Sequence, residues 1–366
     1  MSQIQTIGIL GGGQLGMMLG ESAKKLGLMC VFLDPADKPP AAKTGEVIKA
    51  KYDDEAALKQ LADRCDVITY EFENVPVSAV KYLEGLGKTV YPKMDALETA
   101  QDRVFEKSLF EKIGIPTPPF KAVKTEQDLY AAMEIIGVPA VMKTCRQGYD
   151  GKGQAIIKTS GDVLPAWNKL QGLELVIEKF ISFQRELSMI CVRSTTGETA
   201  FYPLNENVHR QGILRITRSP TTVTPAVQAQ AESYAKKLLD HFNYIGVLTI
   251  EFCDVDGQLM AIEMAPRVHN SGHWTIEGAQ TSQFENHLRA ITGQPLGPTQ
   301  ATGSCAMLNI IGIEPTLASL IGQPGVYIHM YGKQPQPGRK LGHITLVAQK
   351  PAVLQEMIKV VQQVIG

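Results

Sequence analysis

The feature that most restricts the fold is a strand, a glycine-rich turn and a helix at the start of the chain. An apolar run at residues 6–10 precedes the sequence GGGQLG at 11–16, and apolar residues then recur with helical spacing over 17–26. Such a turn directs backbone N–H groups from a helix N-terminus, where an anion binds well. The unit predicts an α/β domain with a parallel sheet, in which the glycines serve either phosphate binding or close packing of helix on strand.

Two further strands in this region end in acidic residues. Residues 30–33 end at Asp34, where a dinucleotide fold holds a ribose, so a nicotinamide-dependent dehydrogenase is one interpretation. Residues 66–70 end at Glu71 and Glu73, at the sheet edge where α/β proteins bind ligands. Residues 89–91 predict another short strand. We therefore expect three or four parallel strands before residue 98, followed by a helix over 96–113.

A second glycine-rich loop lies within a predicted hairpin. The apolar run 140–144 carries Lys143, residues 148–153 contain three glycines and Lys152, and 155–157 form a returning strand. Glycine lets backbone N–H groups turn toward an anion, and the lysines add positive charge. The loop is either a lid over nucleotide phosphates or an ordinary turn with solvated charges.

Two carboxylates are expected on adjacent antiparallel strands, where they either hold a metal, face solvent or pair with lysine or arginine. Glu251 and Glu263 lie among apolar neighbours on either side of the predicted turn 254–257. Buried carboxylates are costly unless neutralised, and Mg²⁺ prefers oxygen ligands together with substrate phosphates. The polar run 265–274 follows directly. Its His269 and His273 have a zinc-like spacing, but the intervening Asn, Ser and Gly argue against a helix and so against zinc.

The last part of the chain predicts a third, smaller unit. After residue 297, three strands and a C-terminal helix flank a proline- and glycine-rich loop that carries Lys333, Arg339 and Lys340. Clustered basic side chains of this kind suit a phosphate monoester, although a solvated basic turn is the alternative.

Composition restricts the partners. Lys and Arg total 36 against 37 Asp and Glu, a net charge of −1, which favours neither nucleic acid nor an anionic membrane. The six cysteines are scattered without a CxxC pair, which is typical of a reducing cytoplasm rather than of a disulfide framework. No apolar run reaches membrane-spanning length.

The order of these features resembles the ATP-grasp superfamily of carboxylate–amine ligases. Within it, GGGQLGMM, YEFENV, GYDGKGQ, APRVHNSGHWT and PGRKLGH are similar to the 5-(carboxyamino)imidazole ribonucleotide synthases of purine biosynthesis, over essentially the whole chain. The resemblance implies a Rossmann-like domain at 1–98, an ATP-grasp domain at 99–297 and a small β-rich domain at 298–366, usually in a homodimer. It implies carboxylation of 5-aminoimidazole ribonucleotide by bicarbonate through carboxyphosphate, with ATP and Mg²⁺ as cofactors.

The resemblance also implies roles for residues at matching positions. Mg²⁺ would be held by Glu251 and Glu263, and Asp150, Arg267 and Lys333 would act in catalysis, with Asp150 assisting proton removal from the amine. The expected ATP contacts are Arg103, Lys143, Gly148, Tyr149, Asp150, Gly151, Lys152, Gly153, Gln154, Glu178, Lys179, Phe180, Ile181, Glu186, His209, Ile262 and Glu263. The expected contacts to the ribonucleotide and bicarbonate are Gln14, Glu71, Glu73, Tyr149, Asp150, Arg267, His269, Asn270, Ser271, Lys333, Arg339 and Lys340.

Other functions remain open at this level. A formate-dependent glycinamide ribonucleotide transformylase would share ATP and Mg²⁺, the dehydrogenase would use the N-terminal glycines, and a nucleotide sensor would bind without turnover. Two positions depart from the family pattern, because Gln147 stands where a lid glycine is common and Ile262 where an asparagine is common.

Overall fold

The computed structural model describes residues 4–146, 148, 153–170 and 172–366. Five positions discussed above lie outside the described residues, namely Gln147, Tyr149, Asp150, Gly151 and Lys152. What is expected of these five therefore stays a prediction.

The N-terminal region forms a parallel sheet in the order β3-β2-β1-β4. Its elements are β1 (Thr6–Leu10), α1 (Gln14–Lys25), β2 (Met29–Asp34), β3 (Glu46–Lys49), α2 (Glu55–Arg64), β4 (Val67–Tyr70) and α3 (Val77–Gly85). The predicted parallel α/β architecture is confirmed, with α1 entering directly from the glycine turn. The strand predicted at 89–91 is wrong, since only a single bridge joins Val90 to Ile68.

The predicted helix over 96–113 is wrong, because the segment forms two helices, α4 (Met94–Ala100) and α5 (Arg103–Lys112). The break occurs at Asp102, whose carboxylate accepts the backbone N–H groups of Val104 and Phe105. An aspartate that caps new N–H groups begins a helix rather than continuing one. The cap sets the direction of α5, which brings Arg103 to the cavity described below.

A small antiparallel sheet follows, in the order β5-β8-β6-β7. Its elements are β5 (Phe120–Val123), α6 (Glu126–Ile136), β6 (Ala140–Thr144), β7 (Gln154–Ile157), α7 (Val163–Leu170) and β8 (Leu175–Lys179). The predicted hairpin is confirmed, with Lys143 paired to Gln154 across β6 and β7. Side chains of α6 and α7 pack on one face of the sheet to form its core.

The remaining strands form one large sheet, with β10 paired to β9 beside the path β14-β13-β9-β11-β12-β15-β17-β16. The elements are β9 (Arg185–Arg193), β10 (Thr199–Phe201), β11 (Asn205–Arg210), β12 (Ile213–Ser219), α8 (Pro225–His241), β13 (Gly246–Val255), β14 (Gln258–Ala265), α9 (Thr275–Gly278), α10 (Gln283–Thr292), β15 (Ser304–Ile311), β16 (Val326–Met330), β17 (Lys340–Ala348) and α11 (Pro351–Ile365). The C-terminal strands thus extend the central sheet. Among the described residues, no helix combines the length and apolar character needed to cross a bilayer.

The turn between β13 and β14 has the geometry that its sequence predicts. Asp256 and Gly257 both have positive φ angles, 52° and 83°, as a tight hairpin turn requires. The resulting register makes Glu251 and Glu263 direct cross-strand partners, with a bulge immediately after Glu251. The hairpin therefore fixes the spacing of the two carboxylates.

Candidate active site

One cavity of about 690 Å³ gathers most of the residues expected to be functional. Its wall includes Gln14, Glu73, Arg103, Lys143, Gly148, Gln154, Glu186, His209, Glu251, Ile262, Glu263, Arg267, His269, Asn270 and Lys340. Other expected residues lie outside the wall, namely Glu71, Gly153, Glu178, Lys179, Phe180, Ile181, Ser271, Lys333 and Arg339. The cavity thus draws residues from the N-terminal region, the small sheet and the large sheet.

The facing carboxylates of Glu251 and Glu263 form the acidic part of the cavity. Burial, together with the charge of Glu263, raises the pKa of Glu251 to about 7. Two carboxylates in this arrangement call for a cation, and Mg²⁺ is commonly held by one or two carboxylates plus waters and substrate phosphates. Within the described ranges, no group of three or more protein ligands could hold a metal. The pair therefore fits a Mg²⁺ ion that would take its other ligands from a bound phosphate and water.

We expect this carboxylate pair to make the metal-free protein less stable as the pH rises. The pKa of Glu251 is about 7 in the folded state against an ordinary 4.5, so the native state binds this proton more tightly. The stabilisation of the folded state by the protonated Glu251 carboxyl is fully present below pH 4.5 and is lost as the pH rises through 7. Urea unfolding at several pH values should show a smaller loss for Glu251→Gln than for the unaltered protein. Identical pH dependence of the two would contradict this.

Arg267 links the end of β14 to the N-terminal region. Its Nε and Nη2 contact the Glu73 carboxylate, and Nη1 donates to the Val268 carbonyl at 3.0 Å. Burial acts to raise the pKa of Glu73, but the Arg267 charge and hydrogen bond outweigh it, and the pKa lies below its ordinary value. Glu73 is therefore ionised, and one edge of the guanidinium is occupied by it.

Donors for a small anion lie beside Arg267. Both polar side-chain atoms of Asn270 are buried and lack a partner within the described part of the chain. Asn270 and His269 line the cavity, whereas Ser271 is fully buried behind them. A buried amide without a partner is costly, which favours a ligand at this position.

A cluster of charged side chains at one side of the cavity is organised around Glu178. Its carboxylate lies 2.8 Å from Lys143 Nζ and 3.4 Å from Lys107 Nζ. Burial acts to raise the pKa of Glu178, but the two lysines hold it below its ordinary value. Arg103 joins this region to β14, since its guanidinium lies 3.3 Å from Glu263 and donates to the Gly148 carbonyl at 3.1 Å.

Sequence reasoning missed Glu106 and Lys107 on α5. Glu106 lines the cavity and accepts the Met264 N–H at 2.6 Å, and Lys107 is completely buried. Burial and the charge of Glu263 raise the pKa of Glu106 to about 8. The available signal was helical spacing, because Arg103, Glu106 and Lys107 stand at i, i+3 and i+4 and share one face of the helix.

Other expected ATP contacts lie at the end of β8, at the start of β9 and on β11. Lys179 donates to the Ile136 carbonyl at 3.1 Å, and Phe180 is 40% exposed beside it. His209 contacts the carboxylate of Glu186, which together with nearby acids raises the pKa of His209 despite its burial. Both of these last residues line the cavity.

The N-terminal glycine turn is filled by protein carboxylates. Gly12 N–H donates to Asp34 at 2.7 Å, while Gly13 and Gly16 donate to the two oxygens of Glu71 at 2.5 and 2.6 Å. A dinucleotide pyrophosphate would need these same donors. The turn therefore serves internal packing, and this geometry removes the structural basis for a nicotinamide dehydrogenase.

We expect Glu71→Ala to lower the free energy of unfolding by about 3 kcal/mol, because it leaves one buried and one partly buried N–H group without an acceptor and creates a cavity. Glu71 is only 7% exposed, and burial raises its pKa although the N–H groups of Gly16 and Gly13 oppose that rise. Glu21→Ala, at an exposed position on α1, is the control and should change stability by less than about 0.5 kcal/mol. Equal effects of the two substitutions in urea unfolding would refute this role.

The basic loop before β17 approaches the cavity from the C-terminal side. Lys333 Nζ donates to Gln14 Oε1 at 2.5 Å, and Lys340 lies in the cavity wall. Arg339 is exposed and its guanidinium donates to the Gln334 carbonyl at 3.2 Å. The structure thus brings Lys333 and Lys340 to the site and leaves Arg339 at its outer side.

Comparison with known proteins agrees with this architecture. Residues 108–284 match the ATP-grasp domain family, residues 4–101 match the ribonucleotide synthetase preATP-grasp domain, and residues 305–357 match the phosphoribosylaminoimidazole carboxylase C-terminal domain. The fold and the cavity together define a protein of the ATP-grasp class.

Similarity to individual relatives identifies the family within the ATP-grasp class. An N5-carboxyaminoimidazole ribonucleotide synthase from Pseudomonas aeruginosa is 48% identical over 98% of this chain and 99% of its own. The crystal structure of the synthetase from Thermus thermophilus has a TM-score of 0.95 at 47% identity, covering 98% of each chain. The Aspergillus clavatus synthase, in complex with ADP and 5-aminoimidazole ribonucleotide, has a TM-score of 0.89 at 32% identity, covering 98% of this chain and 99% of its own. The chain belongs to the N5-carboxyaminoimidazole ribonucleotide synthase family.

Proposed function

We propose that this protein carboxylates 5-aminoimidazole ribonucleotide with bicarbonate at the expense of ATP, giving N5-carboxyaminoimidazole ribonucleotide, ADP and phosphate in purine biosynthesis. The observation that carries the proposal is that one cavity joins the facing pair Glu251 and Glu263, the cation Lys143 and Lys340 at the start of β17. A nucleotide, a metal and a phosphorylated substrate each find suitable groups there. The family relationship supports the same function.

Phosphoryl transfer requires neutralisation of charge and exclusion of water rather than covalent chemistry from the protein. Mg²⁺ held by Glu251 and Glu263 would screen the phosphates when bound. Lys143 and Arg103 carry positive charge at the nucleotide side of the cavity. Arg267, His269 and Asn270 form the side where bicarbonate and the transferred phosphoryl group would lie, with Ser271 behind them. A bicarbonate oxygen would form a bond to the γ-phosphorus of ATP as the bond to ADP breaks, giving carboxyphosphate and ADP.

The ribonucleotide would occupy the space between the N-terminal region and the basic loop. Gln14 and Glu73 line the cavity on that side, and Lys333 contacts Gln14. Lys333, Lys340 and Arg339 would receive the 5′-phosphate as the substrate enters. Asp150 and Tyr149 complete this site by resemblance alone, with Asp150 assisting removal of a proton from the amine.

Lys333→Met should raise KM for the ribonucleotide by about tenfold to a hundredfold, because a charge-assisted contact to phosphate is worth about 1.5–3 kcal/mol. KM for ATP should stay unchanged, since Lys333 lies outside the nucleotide side of the cavity. Steady-state kinetics with each substrate varied in turn separates the two constants. Lys359→Met, on the exposed face of α11, is the matched control. A rise confined to KM for ATP would overturn the assignment.

The direct test of the proposed reaction is transfer of labelled carbon. Protein incubated with Mg-ATP, ribonucleotide and ¹³C-bicarbonate should give a new carbamate carbon signal whose growth matches the release of ADP. Release of ADP without a labelled carbamate would separate ATP turnover from carboxylation and reject the proposed product.

We further propose the domain division at residues 98 and 297, residence in the cytoplasm and assembly as a homodimer. The division at residue 98 is supported by the separate sheet of the N-terminal region, and the division at 297 by the C-terminal domain family that matches residues 305–357. The cytoplasm is supported by the six cysteines, all of which are free and buried. Sedimentation of the purified protein would test the homodimer, which a monomer at micromolar concentration would contradict.

A further inference from the structure

A row of buried polar side chains runs behind the cavity wall from the large sheet to His269. Ser188, Asn205 and Ser271 have no exposed surface, and Asn207 is 5% exposed. None of these four lies in the cavity wall as the described residues define it. Buried polar groups are costly unless they are paired, so the direction of each hydrogen bond in the row can be worked out from its partners.

Trp274 fixes the direction at one end of the row. An indole N–H can only donate, and Trp274 Nε1 donates to Asn205 Oδ1 at 2.9 Å. The amide nitrogen of Asn205 must therefore face the other way, where it lies 3.3 Å from Ser188 Oγ. Asn207 adds a second donor to the same oxygen at 3.0 Å, while its own Oδ1 pairs with Thr217 at 2.9 Å.

The hydrogen bonds from the side-chain amides of Asn205 and Asn207 determine the direction in which the Ser188 hydroxyl donates. Because Ser188 Oγ accepts from both asparagines, its O–H donates to Ser271 Oγ at 2.9 Å. The Ser271 hydroxyl then directs its own hydrogen to the acceptor that remains, His269 Nδ1, also at 2.9 Å. Independently, the Ser271 backbone N–H, which can only donate, lies 3.3 Å from the same Nδ1. Both hydrogen bonds from Ser271, from its hydroxyl and from its backbone N–H, require that His269 Nδ1 carries no hydrogen.

We propose that this row holds His269 as the Nε2–H tautomer and turns that N–H toward Glu251, with Ser188 and Asn205 as positioning residues. Nε2 of His269 lies 3.4 Å from Glu251 Oε1. Gln283 fixes the backbone of the same residue, because its side chain accepts the His269 N–H at 2.9 Å and donates to the His269 carbonyl at 2.6 Å. His269 therefore places Nε2 beside the Glu251 carboxylate at the cavity wall. The tautomer stands on the hydrogen bonds alone, and only its importance for turnover rests on the proposed function.

Nitrogen NMR of metal-free protein labelled with ¹⁵N-histidine tests the tautomer directly. The His269 signals are assigned from those that disappear in His269→Gln. We expect a pyridine-type signal for Nδ1 and a pyrrole-type signal for Nε2 that is bonded to hydrogen. A hydrogen on Nδ1, in either a neutral or a doubly protonated ring, would overturn the proposal. This readout does not depend on activity, so it decides the tautomer even if the carboxylation reaction is rejected.

Ser188→Ala tests whether the row matters for turnover. We expect kcat to fall about tenfold or more, as for residues that orient a ligand of a metal, with KM for ATP unchanged. The His269 nitrogen signals should broaden or shift in the same variant. Ser219→Ala is the matched control, since Ser219 is buried on β12 and its hydroxyl lacks a partner among the described residues. Unchanged kcat and unchanged His269 signals in folded Ser188→Ala would refute the positioning role, and if that variant fails to fold, the spectrum of the unaltered protein still decides the tautomer.

Discussion

Glu263→Gln is expected to lower kcat by about a thousandfold, because the substitution removes half of the negative charge proposed to hold the metal against the phosphates. Glu263 lines the cavity and is the cross-strand partner of Glu251. Glutamine keeps the size and the polar shape of the side chain, so the loss reports charge rather than packing. Excess Mg²⁺ should recover only part of the rate.

Glu206→Gln is the matched control for this experiment. Glu206 lies on β11 of the same sheet, where its carboxylate faces Arg185 and Arg218 at 3.8 and 3.9 Å, away from the cavity. The kcat of Glu206→Gln should stay within about twofold of the kcat of the unaltered protein. If Glu263→Gln turned over ATP at the normal rate with normal Mg²⁺ dependence, the metal assignment would be wrong.

Arg267→Lys is expected to lower kcat by about a hundredfold even though the positive charge is kept. Lysine lacks the planar set of donors that lets Arg267 bind Glu73 and the Val268 carbonyl while facing the cavity. The contact with Glu73 also joins the N-terminal region to the end of β14, so both the proposed phosphoryl site and the proposed ribonucleotide site should be disturbed. Stopped assays of ADP release over a range of ribonucleotide concentrations would measure this loss.

A surface substitution separates this effect from a general loss of arginine. Arg289→Lys on α10 changes an arginine that pairs with Glu285 at 2.7 Å, away from the cavity, and should leave kcat unaltered. Glu73→Gln should reproduce part of the Arg267→Lys defect, and the double variant should fall short of the product of the two. Additive losses would show that the two side chains act separately.

Local sequence signals predicted those parts of the site that short segments determine. The turn at Asp256 and Gly257 joins two apolar strands, and that alone sets Glu251 against Glu263. The β6–β7 hairpin likewise follows from one glycine loop between two apolar runs. In both cases the interacting strands are neighbours in the chain, so periodicity and turn residues suffice.

Interactions between distant segments escaped sequence reasoning. Ser188 stands between Leu187 and Met189 on β9, and its partner Ser271 is 83 residues away, so no local pattern marks the pair. The pairing of β12 with β15, which makes the C-terminal strands part of the central sheet, is equally remote. The glycine turn was ambiguous because its donors are filled by Asp34 and Glu71, which only the folded chain reveals.

The measurement that tests the central claim most directly is ADP release by the purified protein with Mg-ATP and bicarbonate, with and without 5-aminoimidazole ribonucleotide. The proposed function predicts strong stimulation by the ribonucleotide that disappears when bicarbonate is withheld. Stimulation instead by glycinamide ribonucleotide with formate would keep the ATP-grasp chemistry and contradict the substrate. Absence of ADP release under all of these conditions would contradict the enzymatic function itself.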